Sequence, residues 1–139
     1  LLTDKSKPKI RDVLLTKDGT LGRVAVVDKE GICINQSVAL LRVNDLINPY
    51  FLFYLLSSPK YQKLMIEDAG GTTIKHIYIS RVGKMIVSYP DLNEQGKLLP
   101  LFDSVLQETQ VLEQKYLSEI EGLKDLKQSI LKEAFNGTL

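Results

Sequence analysis

The stretch NEQGKLLPLFDSVLQETQVLEQKYLSEIEGLKDLKQSILKEAFNGTL, residues 93–139, decides the architecture of this chain. Within it, apolar or neutral side chains recur at Leu98, Phe102, Val105, Thr109, Leu112, Tyr116, Ile120, Leu123, Leu126, Ile130 and Ala134, ten steps over 36 residues. The mean step of about 3.6 residues is the period of a straight α-helix. A helix of about 42 residues rising about 1.5 Å per residue would be roughly 63 Å long, several times the usual globular helix. The rest of the chain is too small to cover such a stripe, so the rod is expected to need a partner helix. An antiparallel second copy would pair through Phe102, Val105, Leu112, Tyr116, Ile120, Leu123 and Ile130.

The ends of the rod are marked locally. Asp91 and Glu94 have the spacing of a capping box, and Asn93 is an equally good cap. Pro100 has no amide to donate and is expected to kink the rod or mark its true start. Gly122 costs about 1 kcal/mol relative to Ala, too little to end the helix. Gly137 is a natural C-cap.

Upstream of the rod, strands and short helices interleave. Val13–Thr16 and Leu21–Val27 are β-rich runs joined by Lys17-Asp18-Gly19-Thr20, and Asp-Gly supplies the positive φ angles of a tight hairpin. Residues 32–43 hold one or two further strands. Asn48-Pro49 reads as a helix start, with Asn as cap and Pro at the first helical position, for a helix through Ser57. A second short helix follows from Ser58-Pro59 to about Asp68. Ala69-Gly70-Gly71-Thr72-Thr73 then forms a loop, residues 74–80 alternate weakly, and Lys84–Tyr89 reads as another strand stopped by Pro90. The expected fold is α+β: a small mixed domain over residues 1–90 and one long helix over 91–139, paired as an antiparallel coiled coil. Leu1–Lys9 is polar and starts abruptly, so the domain is expected to lack its N-terminal part.

Composition narrows the functions. With 139 residues, 44% apolar and 25% charged, the chain suits one domain plus an appendage. The net charge of +1 conceals a split: residues 1–92 balance at +4 and residues 93–139 at −3. No run approaches the length of a membrane span, and no membrane partner is expected. Cys33, the single cysteine, excludes an internal disulfide and is expected to be a small buried hydrophobe. His76, the single histidine, leaves no His pair for metal, and no His–carboxylate relay is evident along the chain, so no metal site and no catalytic residue are expected. Asn48-Pro49-Tyr50-Phe51 has a partial likeness to the adenine-binding loop of amino-methyltransferases, but the second proline and a Gly-rich cofactor loop are missing.

Two polar, glycine-bearing loops remain. Lys17, Asp18, Thr20 and Arg23 form one tip, and Thr72, Thr73, Lys75 and His76 form another. Such mixed donors and acceptors suit base edges and phosphates, and they equally suit ordinary solvated loops.

Several stretches now fall into an order. They are residues 9–23, from Lys9-Ile10-Arg11-Asp12 through the hairpin to Arg23, then Ile34-Asn35-Gln36, Tyr54-Leu55-Leu56-Ser57-Ser58-Pro59 and Gly70-Gly71-Thr72-Thr73. The Pro90-Asp91-Leu92-Asn93-Glu94-Gln95 junction and the closing Leu126–Leu139 run complete the set. Together they resemble the second half of the specificity subunit of Type I restriction-modification systems. The resemblance implies a non-catalytic, cytoplasmic DNA-recognition subunit that reads one half of a split double-stranded target. It also implies a helix that spaces recognition domains and docks modification subunits. S-adenosylmethionine, ATP and Mg would then belong to the modification and restriction subunits. The family usually has Gly where this chain has Arg11, and an aliphatic residue at Pro100. A complete family subunit has two recognition domains and two helices, so the chain would be a fragment, a truncated frame, or a half-subunit acting as a homodimer. The alternative from another class is a coiled-coil interaction module that no longer binds DNA.

Overall fold

A computed structural model describes residues 6–67, 69 and 75–137. Three short strands, β1 (Val13–Thr16), β2 (Val24–Val26) and β3 (Val38–Leu41), form an antiparallel sheet in the order β2–β1–β3. Val13 lies opposite Val26 on one side and Leu41 on the other. Alternation along β1 puts Val13 and Leu15, both fully buried, on one face. Leu15 packs with Ala39, Leu56, Met65 and Ile77 in a core that joins sheet to helices. A fully buried aliphatic side chain of this kind contributes about 1.5–3 kcal/mol.

Helix α1 (Pro49–Ser57) begins as its sequence dictates: the Asn48 side chain accepts from the Tyr50 amide at 2.9 Å, and Pro49 occupies the first turn. Helix α2 (Pro59–Glu67) follows after one residue, with Tyr61 and Met65 turned inward four residues apart. The short α3 (Ile79–Val82) closes the first part of the chain.

Contacts divide the chain into two units, one ending at Leu99 and one beginning at Pro100. The final helix, α4 (Leu92–Phe135), contributes to both. Asp91 is its cap, accepting from the Glu94 amide at 3.0 Å, so Asn93 is already inside the helix. Pro100 lies within α4 and does not mark its start. The carbonyl that its missing amide would have met belongs to Gly96, and one lost bond does not stop a helix of this length. Gly122 is passed without interruption, and Gly137, at φ +70°, terminates the helix. In the second unit every described residue after Phe102 is exposed, so the stripe lies bare.

Several expectations need correction. The hairpin loop is longer than Lys17–Thr20, and the second strand starts at Val24 rather than Leu21. Leu21 and Gly22 turn instead, with the Gly22 amide bonded to the Thr16 carbonyl at 2.9 Å. Residues 32–43 yield a single strand, β3. Residues 84–89 form no strand: the run pairs with neither edge strand, β2 or β3, and Ile86 is left 95% exposed. Cys33 is exposed, since it lies in an irregular segment before β3 rather than in a strand facing the core.

Candidate nucleic-acid interface

The hairpin loop and the segment after residue 74 meet at Asp18 and His76. The two residues form an antiparallel backbone bridge, and the Ile77 amide donates to the Lys17 carbonyl at 2.9 Å. Side chains reinforce it: His76 Nδ1 stands 2.5 Å from Asp18 Oδ1, and the Lys17 ammonium donates to Asp18 Oδ2 at 2.6 Å. Those two bonds, that from His76 first, hold the Asp18 carboxyl below the usual carboxylate range. Buried Ile77 anchors the second segment in the core beside this partly exposed cluster.

Of the residues picked from sequence, the fold thus joins Lys17, Asp18 and His76, with exposed Lys75 next in the chain. Thr20 and Arg23 are exposed in the same hairpin loop, and the Arg23 amide donates to Thr16 Oγ1. No hydrogen bond or ion pair joins the Thr20 or Arg23 side chain to the trio among the described residues. Thr72 and Thr73 lie outside the described residues.

The loop is held from behind by a residue that periodicity does not reveal. Gln62, on α2, donates to the carbonyls of Gly22 and Leu56 at 2.7 and 2.8 Å. Gly22 has φ +78°, and a Cβ there would fall 2.5 Å from Gln62 Oε1. The conformation favours glycine, and any larger residue would also displace the Gln62 amide that holds the loop.

At the other end of β1, buried Asp12 is gripped by Arg42 in a two-pronged pair, Nε to Oδ1 at 2.8 Å and the terminal nitrogen to Oδ2 at 2.6 Å. The Arg42 bond, aided by the Lys9 amide, holds the Asp12 carboxyl below its ordinary range against the opposing effect of burial. Arg11, just before it, has φ +73°, the conformation that suits the glycine usual in the resembled family. Gln95, in the first turn of α4, is the one buried residue of that helix. Its side chain accepts from the Asn48 amide and donates to the carbonyls of Leu46 and Pro90. Sequence reasoning marked Asp12 and Gln95 only as parts of ordered motifs; their bonding needs partners 30 and 47 residues away.

The expected pairing residues of α4 are uncovered, with Val105, Leu112, Tyr116, Ile120, Leu123 and Ile130 all exposed and Phe102 half-buried. Comparison with known proteins places this arrangement. The family model for the Type I restriction modification DNA specificity domain matches residues 2–122. The chain belongs to that family. It is 28% identical over 138 residues to the Type I restriction enzyme EcoBI specificity subunit of Escherichia coli, covering 97% of this chain and 29% of that protein. Among solved structures, one from a study of complex assembly and conformational transition of the type I R-M system matches with TM-score 0.75. Its identity is 26%, over 95% of this chain and 32% of that one. The S subunit of a Type I system from M. genitalium matches with TM-score 0.57 and 28% identity, over 76% of this chain and 28% of that one. This specificity-family chain therefore spans about three-tenths of the length of the relatives it matches. No helix among the described residues is long and apolar enough to cross a membrane.

Proposed function

We propose that this chain reads one half of a bipartite double-stranded DNA target within a Type I restriction-modification complex and helps to scaffold its modification subunits. The observation that carries the DNA reading is the polar tip, where Lys17, Asp18 and His76 from chain-distant segments are drawn together beside Lys75 and the Thr20–Arg23 loop. Mixed donors and acceptors on a fixed backbone are what base edges and phosphates demand. Thr72 and Thr73 belong to the same proposed surface by sequence. The bare stripe of α4 supports the second half of the reading, a helix that pairs antiparallel with a second copy or docks modification subunits. In this reading the chain is non-catalytic and cytoplasmic, the restriction subunit joins through the complex, and S-adenosylmethionine, ATP and Mg sit in partner subunits.

The test is duplex binding by the chain with its modification subunits at graded salt. Affinity should fall steeply between about 50 and 200 mM salt as phosphate contacts release counterions. Binding to the modification subunits without any duplex binding would overturn the DNA reading and favour a pure interaction module. Sedimentation should show self-association at roughly tens of micromolar, the range reached by pairing worth about 6–7 kcal/mol.

A further inference from the structure

His76 is the only histidine of the chain, and its ring is tied at one edge. Nδ1 meets Asp18 Oδ1, while Nε2 has no partner among the described residues. The other Asp18 oxygen accepts from the Lys17 ammonium. An ionised carboxylate has no hydrogen to give, so the hydrogen of the Asp18–His76 bond belongs to Nδ1. A neutral imidazole with its hydrogen on Nδ1 carries a lone pair on Nε2. The backbone bridge between the same two residues keeps them opposite each other, and the carboxylate selects the tautomer.

We propose that Asp18 is a positioning residue for base recognition: it holds His76 in the Nδ1–H tautomer, so that Nε2 presents a hydrogen-bond acceptor to the exocyclic amino group of adenine or cytosine in the major groove. The proposal rests on the DNA-reading function above and supplies the chemistry of one contact within it. In the major groove adenine N6 and cytosine N4 are the amino donors, whereas guanine and thymine present only acceptors. An acceptor at Nε2 matches the first pair and opposes the second. Asp18 acts through the histidine, because each of its oxygens already holds a neighbouring donor, Nδ1 on one side and the Lys17 ammonium on the other. Lys17 and Lys75, flanking the pair, are left to phosphates.

A single imidazole makes the test direct. In the ¹⁵N-labelled full chain, at alkaline pH where the ring signals no longer change with pH, the ring spectrum should show a protonated Nδ1 and an unprotonated Nε2. Asp18→Ala, which leaves the backbone bridge in place, should shift the hydrogen toward Nε2, and Asp18→Asn should restore part of the Nδ1–H form. An Nε2–H ring in the wild type, or a tautomer indifferent to Asp18→Ala, overturns the proposal without any DNA present. Selection from a randomised duplex library supplies the second readout. The wild type should enrich adenine or cytosine at one position, and Asp18→Ala and His76→Phe should both relax that position by about tenfold. Bound duplex with the preference intact in both variants sinks the proposal and leaves the DNA reading standing. No duplex bound by the wild type sinks both.

Discussion

Gln95 and Asn48 are coupled across 47 residues: the Asn48 amide donates to the Gln95 side-chain oxygen at 2.8 Å. Asn48 is also the cap of α1, and Gln95 spends its amide hydrogens on the carbonyls of Leu46 and Pro90. One buried side chain thus pins the first turn of α4 to the start of α1. Gln95→Leu would fill similar volume but leave one amide and two carbonyls without their side-chain partner. It should destabilise the first unit by about 2–4 kcal/mol, read as a lower urea midpoint. An unchanged midpoint would show that water or a shifted backbone replaces the bonds.

Arg11 sits at φ +73°, where a side chain costs about 1–2 kcal/mol relative to glycine. Arg11→Gly relieves that cost and gives back part of it as extra freedom in the unfolded chain. A net gain of about 0.5–1 kcal/mol is expected by denaturant unfolding. A loss would mean that Arg11 makes compensating contacts.

Gly22 has the opposite expectation. Gly22→Ala meets both the positive φ and the Gln62 side chain, and it should cost about 2 kcal/mol. Pairing it with Gln62→Ala removes the clash but not the backbone cost. The double variant should therefore lose less than the sum of the two single changes.

The Asp12–Arg42 pair sets a pH dependence. The folded carboxyl titrates below its unfolded counterpart, chiefly through the bond from Arg42. The pair's stabilisation is then complete above the unfolded carboxylate value of about 3.9 and disappears as pH falls through the lower folded value. Arg42→Ala should lower the denaturant midpoint at neutral pH, because it leaves the buried Asp12 carboxylate without its two-pronged partner. The gap between wild type and variant should close in strong acid. A gap that persists there would assign the effect to packing of the Arg42 stem.

On α4, Leu112 and Leu123 are exposed by 50% and 65%, respectively. If the stripe pairs with another helix, Leu123→Glu places a charge in that seam and should weaken association by at least about tenfold, with helicity by circular dichroism little changed. Equal sedimentation of variant and wild type would remove Leu123 from any interface.

Local signals in the sequence were sufficient wherever a structure depends on neighbours along the chain. The Asn48-Pro49 cap, the helical stripe and the Gly137 terminus were legible, and the cap of α4 was narrowed to Asp91 or Asn93, because capping and helical periodicity act within a few residues. The strand expected at residues 84–89 failed for the complementary reason. Alternation says that a segment is able to pair, and only tertiary packing decides whether it is brought to an edge of the sheet. Cys33 was misread in the same way: its apolar neighbours suggested burial, but the segment never joins the sheet.

The sequence by itself therefore determined the long helix, α1 and α2, the hairpin pairing of β1 with β2 and the order of motifs that identifies the family, but not the short helix α3. Only the tertiary structure decided which polar residues act together. Asp18 with His76, Asp12 with Arg42, Gly22 with Gln62 and Asn48 with Gln95 are all pairs separated by 30 or more residues. The geometry of a hydrogen bond is fixed to fractions of an ångström, and no periodicity in the chain encodes it. It arises only when packing of Leu15, Leu56, Met65 and Ile77 brings the backbones into register.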